Sequence, residues 1–381
     1  MPETPRSHPF VRFNNATGEG EANGDWHPTD DTQVPDGLTQ TNLQDRLYRI
    51  TDPERVVLGT YVDGNTGQRL RTLWVNKDRL NAKPNEPVTI FMQGFGSHVD
   101  HPDMQTRAGL LSIALGHSPV FQVDYPNVRG SDGFTDEQKR SLKNYDATPI
   151  LKTWVEAMKS EGLEGREVQI AGESLGGFFG VELALFISKM ENPPFNISRL
   201  HIVDPAGVHK YDDRFKPLRA AHYVLDFLND AKYNDLYVKS VTDPISQFAM
   251  GIDVPTLVRK KNEVKWVLTQ LLAERPPIFY LGSLLAHGGL PEKLDELLKT
   301  NQKLHLTITN MTNSLVCPTD EMSVMLNGPK NGNDDSKPAG LLGLYKGRVR
   351  AFLLAGDAHS AIVAQRRTVY LHADAFRNKK P

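Results

Sequence analysis

The chain reads as an α/β protein: a mostly parallel sheet whose strands alternate with helices, interrupted late by an inserted block of helices. Three observations predict this. Short apolar runs recur with helical stretches between them. One such run ends in a glycine-bounded turn that opens a helix, and the alternation lapses from about Gly207 to Lys303 before it resumes. With 381 residues, 39% hydrophobic and 24% charged, the chain can bury a large core and carry an insertion besides.

Residues 1–45 are dominated by Asn, Asp, Gly, Thr, Pro and Glu. They hold too few aliphatic side chains to offset the entropy of ordering, so a flexible arm is expected there. Beyond it, Val56 to Val62 and Leu70 to Val75 flank Asp63-Gly64-Asn65-Thr66-Gly67, the signature of a hairpin. Val88 to Met92 and Val120 to Val123 are short apolar runs about thirty residues apart, with helical content around Met104 to Leu115. That spacing predicts parallel strands joined by a crossover. Ile150, Leu151, Trp154, Val155 and Met158 share one helix face and lead into Val168-Gln169-Ile170-Ala171, a run suited to a buried parallel strand.

The next residues are Gly172-Glu173-Ser174-Leu175-Gly176-Gly177, followed by the helix-like Phe178 to Leu185. Strand, sharp turn and helix in that order lift a serine out of a sheet, and the flanking glycines remove side chains that would clash. Ser174 is therefore the candidate nucleophile. Leu200 to Val203 supplies a further strand, after which helical patterning takes over, with a stripe at Leu257, Val264, Leu268, Leu271 and Leu272 and prolines at 276, 277 and 291 as punctuation. Strands return at Leu304 to Ile308 and Val349 to Leu354, separated by a Gly/Asn/Asp/Lys-rich loop near 327–340.

In this order the elements resemble the α/β-hydrolase superfamily over residues 46–381. The resemblance rests on the Ser174 turn, on Gln93-Gly94-Phe95-Gly96 after an early strand, on Asp124-Tyr125-Pro126-Asn127-Val128-Arg129-Gly130-Ser131 after the next, and on Ala355-Gly356-Asp357-Ala358-His359-Ser360 after the last. It implies a mostly parallel, doubly wound sheet with a helical cap. The core would comprise residues 46–207 and 303–381, and the cap residues 208–302. Phe248, Met250, Trp266, Phe279 and Tyr280 are candidate walls of an acyl pocket in it, and equally ordinary core positions.

A serine hydroxyl needs a neighbouring imidazole to take its proton at neutral pH. The resemblance puts His359 in that role. It also makes the backbone N–H groups of Leu175 and Phe95 the oxyanion donors, with Gln93 standing where the family commonly has histidine. For the acid, the family-like frame falls on Asn313, an amide that cannot stabilise an imidazolium as a carboxylate does. Asp320 ranks first in its place, then Asp204 after the Leu200 strand, then Glu321; each also reads as a helix cap or a solvated loop charge.

The implied activity is a serine hydrolase cleaving a small-molecule ester through an acyl-enzyme, in the manner of a carboxylesterase or lipase, with no cofactor. Amidase, thioesterase, lactonase, acyltransferase and C–C hydrolase chemistries use the same core and stay open. So does a non-catalytic relative that binds a ligand or partner, which the amide at Asn313 in the acid's usual frame and the atypical Gln93 would suit. His98, Asp100, His101 and Asp103 lie close together but match no metal-ligand spacing, so no metal site is expected. A net charge of −2 argues against a nucleic-acid partner. The lone Cys317 excludes an intrachain disulfide, and neither a signal peptide nor an 18-residue apolar span is seen, so a cytoplasmic protein with no membrane span is expected.

Overall fold

The computed structural model describes residues 8–13, 20–26, 56–94, 97–100, 102–128, 130–209, 276–311, 314–328, 339–354 and 365–377. Ten strands form one sheet: β1 (His8–Phe13), β2 (Gly20–Trp26), β3 (Val56–Val62), β4 (Arg69–Val75), β5 (Val88–Met92), β6 (Val120–Val123), β7 (Glu167–Glu173), β8 (Asn196–Val203), β9 (His305–Met311) and β10 (Val349–Leu354). Their order across it is β2-β1-β10-β9-β8-β7-β5-β6-β4-β3. Every strand expected from apolar runs is present. The β3–β4 hairpin is antiparallel, and its turn is held by the Asp63 carboxylate, which accepts from the backbone N–H groups of Asn65 at 3.0 Å and Thr66 at 2.7 Å. From β6 to β10 through β5, β7, β8 and β9 all neighbours run parallel, as strands linked by helical crossovers must.

Successive residues of a strand face opposite sides, and this sorts the core into two layers. Val88, Ile90 and Met92 of β5 and Val168 and Ile170 of β7 point into the larger one. That layer is built with α4 (Thr148–Ser160), α5 (Leu175–Ser188) and α7 (Leu290–Thr300). Phe91 and Ala171 point the other way, into a layer made by α2 (Pro102–Ala114) and α10 (Gln365–Arg377). The sheet is thus wound on both faces. The remaining described helices are α1 (Arg79–Ala82), α3 (Asp136–Lys143), α6 (Pro276–His287), α8 (Thr319–Asn327) and α9 (Leu341–Leu344).

Two features concern the ends of the expected core. Strands β1 and β2 fall within the stretch read as a flexible arm, and β1 pairs antiparallel with β10. An open strand edge offers a row of backbone donors and acceptors, and pairing with it needs no apolar side chains. The stretch expected as a cap, 208–302, lies for the most part outside the described residues, and its described end packs on α5. Leu290, Leu294, Leu297 and Leu298 of α7 are all fully buried, and Lys293 of α7 pairs with Glu182 of α5.

Candidate active site

Ser174 sits between the end of β7 and the start of α5, with φ 53° and ψ −117°. A side chain rarely adopts this backbone, and the conformation costs about 1–3 kcal/mol, so the surroundings must impose it. They do so through backbone bonds on both sides: the Ser174 N–H donates to Val203 O at 3.0 Å, and Ser174 O accepts from Gly177 at 3.0 Å and Ala206 at 3.1 Å. The glycines permit the close approach. A Cβ on Gly172 would lie 2.5 Å from Gly176 O, and one on Gly176 would strike the carbonyl oxygen of Met92.

The resulting turn projects Ser174 beyond the carboxyl ends of the parallel strands, where the β5 loop passes beside it. A Cβ built on Gly94 would sit 3.5 Å from Ser174 Cβ. Leu175 opens α5, so its N–H is among those that a helix start leaves without an intrahelical acceptor. The loop's other expected donor, Phe95, lies outside the described residues.

Gln93 holds this loop by a buried network. Its Nε2 donates to Asp124 Oδ1 at 2.8 Å, its Oε1 accepts from Gln122, and its backbone O accepts from the Tyr125 hydroxyl at 2.9 Å. Val99 N–H also donates to Asp124 Oδ1, at 2.9 Å. Asp124 is fully buried, and that burial drives its pKa well above the usual carboxylate range. The atypical Gln93 is therefore the tie between the β5 and β6 loops.

The acid candidates separate sharply. Asp320 is exposed in the first turn of α8. Glu321 pairs with His209. Asp204 is fully buried directly after β8, where Oδ1 accepts from the Met311 N–H at 3.0 Å and Oδ2 from the Ser314 hydroxyl at 2.6 Å. Asp204 and Ser174 are also joined through their neighbours: Val203 and Ala206, which grip the Ser174 backbone, flank Asp204 on β8 and its loop. His359 and Asn313 lie outside the described residues.

Behind Ser174 is a charged cluster that sequence reasoning missed. Glu173, buried on the opposite side of the chain from Ser174, pairs with Arg107 of α2, itself buried. His372 Nε2 of α10 lies 3.7 Å from the other Glu173 oxygen, and the His372 ring packs edge-on against His201 of β8 at 4.5 Å. His201 Nε2 and Thr309 Oγ1 are 3.0 Å apart. Burial, with the nearby His372, holds the His201 pKa well below its ordinary value.

Of the histidine and aspartate group near residue 100, Asp100 is committed to Arg71 at 2.7 Å and His101 lies outside the described residues. No group of three or more potential metal ligands occurs among the described residues. Tyr280 packs on Phe134, with ring centroids 6.4 Å apart. Among the described residues, no helix is long and apolar enough to cross a membrane.

No protein-family model and no curated protein matches the sequence. Solved structures do. The 2-hydroxy-6-oxo-6-phenylhexa-2,4-dienoate hydrolase from Rhodococcus sp. strain RHA1 matches with a TM-score of 0.52 at 14% identity, over 84% of this chain and 99% of that one. A lipase candidate from Acinetobacter baumannii AYE matches at 0.50 and 15%, over 91% and 98%. The chain has the α/β-hydrolase fold. Within that fold the Ser174 turn stands after the fifth strand of the eight from β3 to β10, and Asp204 after the sixth.

Proposed function

We propose that the protein is a serine hydrolase that cleaves a carboxylic ester through an acyl-enzyme intermediate. The observation that carries this reading is the Ser174 backbone, held at φ 53° in a turn whose glycines allow no side chains. Strain of this kind persists only where surrounding structure imposes it, and it presents the hydroxyl above the sheet at the start of a helix. That the structural neighbours include a hydrolase and a lipase candidate supports the same reading.

In the proposed reaction Ser174 Oγ attacks the acyl carbonyl while His359 takes its proton. The N–H groups of Leu175 and Phe95 receive the developing oxyanion, an effect worth about 3–4 kcal/mol per donor. His359 then returns the proton to the leaving alcohol, and water activated by the same imidazole clears the acyl group. For the acid the buried Asp204 is the better candidate than the exposed Asp320, because a carboxylate stabilises an imidazolium most where water does not screen it.

A fluorophosphonate probe tests the reading. Labelling of the folded protein that disappears in Ser174→Ala supports it; a folded protein that stays unlabelled and inert toward esters of graded acyl length refutes it and leaves the non-catalytic binding role. Asp204→Asn is expected to lower turnover at least about a hundredfold and Asp320→Asn to leave it within a few-fold. The reverse pattern would restore Asp320.

A further inference from the structure

Gln93 closes the loop that follows β5 from both ends. Its Nε2 donates to Asp124 Oδ1 at 2.8 Å and, over a longer 3.5 Å, to the Ser97 carbonyl, across the intervening Gly94, Phe95 and Gly96. The Ser97 N–H in turn donates to the Gly94 carbonyl at 3.4 Å. Beyond Ser97 the same Asp124 oxygen accepts from the Val99 N–H at 2.9 Å, so one carboxyl oxygen pins the loop before and after Phe95. Asp124 is itself anchored, because its carbonyl accepts from Trp154 Nε1 of α4 at 3.2 Å.

The loop is also set directly against the start of α5. The Gln93 carbonyl, which accepts from the Tyr125 hydroxyl at 2.9 Å, lies where a Cβ built on Gly176 would come within 2.7 Å of it. Gly94 borders Ser174 in the same way. Gln93, Gln122 and Asp124 are fully buried, so water does not replace a bond that is lost among them, and the partner left behind stays unsatisfied. The residue type matters too. A neutral imidazole, the family's common choice here, has one donor and one acceptor, whereas an amide has two donors and an acceptor. Gln93 uses all three, with Oε1 accepting from Gln122 and Nε2 reaching both Asp124 and Ser97.

We propose that Gln93 is a positioning residue for the reaction at Ser174: through Asp124 it sets the distance between the Phe95 and Leu175 N–H groups that receive the oxyanion. This rests on the ester-cleaving reading of Ser174. Oxyanion donors act over about 2.7–3.1 Å, so the loop must be held to a few tenths of an ångström. A displacement of about 1 Å costs up to about a hundredfold in rate. Gln93 touches neither substrate nor the reacting atoms, and its effect falls on the transition state rather than on substrate binding.

The test measures ester hydrolysis per serine labelled at saturation by a fluorophosphonate, which removes loss of folded enzyme from the comparison. Gln93→Met keeps the volume and removes the amide; its kcat should fall about ten- to a hundredfold with KM within about threefold. Affinity for a trifluoromethyl ketone, whose carbonyl carbon takes Ser174 Oγ and whose oxygen becomes the same oxyanion, should weaken by the same factor as kcat/KM. A residue that only supports the fold would lower the labelled fraction and leave both readouts alone. Asp124→Leu, which deprives Gln93 of its acceptor, should lower kcat at least about tenfold more than Asp124→Asn, which keeps it. Wild-type kcat and ketone affinity in folded Gln93→Met overturn the proposal; if that variant does not fold, equal kcat in the two Asp124 variants overturns it. A wild-type protein that is neither labelled nor active overturns the ester reading itself, and this proposal with it.

Discussion

Replacing Ser174 with glycine is expected to leave the fold slightly more stable than replacing it with alanine, although both changes destroy the nucleophile. Alanine keeps the Cβ and with it the strain of φ 53° and ψ −117°. Glycine occupies that region freely, recovering about 2 kcal/mol, the middle of the range for such backbones. Against this stand about 0.7 kcal/mol for the greater freedom of glycine in the unfolded chain and about 0.8 kcal/mol for one buried carbon, since Ser174 is only 5% exposed. The net expectation is a gain of about 0.5 kcal/mol over alanine, whereas the same step in an unstrained helix or strand loses about 0.5–1 kcal/mol. Urea unfolding of the two variants measures the difference from their midpoints if the slopes agree, and fluorophosphonate labelling should fail in both. A glycine variant less stable than alanine by 0.5 kcal/mol or more would mean that the turn is not strained, and the main support for Ser174 as a nucleophile would fall with it.

Arg107→Leu, which leaves Glu173 buried without its partner, should cost about 3–5 kcal/mol in chemical denaturation, and Arg107→Leu with Glu173→Leu should recover most of that; a double variant no more stable than the single one would contradict the pairing. His201, opposite His372 on α10 and close to the Glu173–Arg107 pair, has a folded pKa below its unfolded value of about 6.5, so its contribution is present above that pH and is lost as pH falls. His201→Gln should therefore show a shallower loss of stability than wild type between about pH 7 and pH 5, and identical slopes would refute the assignment. Asp124 has the opposite sign: its folded pKa lies above the unfolded value of about 3.9, so its contribution is present below that pH and lost as pH rises. Asp124→Asn preserves the acceptor for Gln93 and Val99 and is expected to be at least as stable as wild type at pH 7; clear destabilisation there would show that the carboxylate is held as a stabilising charge.

Local order was legible in the chain wherever the signal is short-ranged. Strands β3 to β10 follow from apolar runs; for β5, β6 and β7, which are buried on two faces, consecutive apolar residues are what burial demands, and the β3–β4 turn follows from its Asp-Gly-Asn-Thr-Gly. Strands β1 and β2 escaped notice, since pairing at a sheet edge is a backbone event that composition does not reveal. The seat of α7 was hidden for a related reason: its periodicity is that of any amphipathic helix, and only the tertiary structure shows that it packs against α5.

The sequence by itself determined the strand–turn–helix around Ser174, because the glycines and the apolar run that build it are neighbours in the chain. Tertiary structure decided which charges are screened by water. Asp204 and Asp320 have the same carboxylate, yet one is sealed beneath Ser314 and Met311 while the other faces solvent. The Arg107–Glu173–His372 cluster and the Gln93–Asp124 tie join residues from distant parts of the chain. Electrostatic strength depends on burial and distance in space, and neither is written in the order of residues.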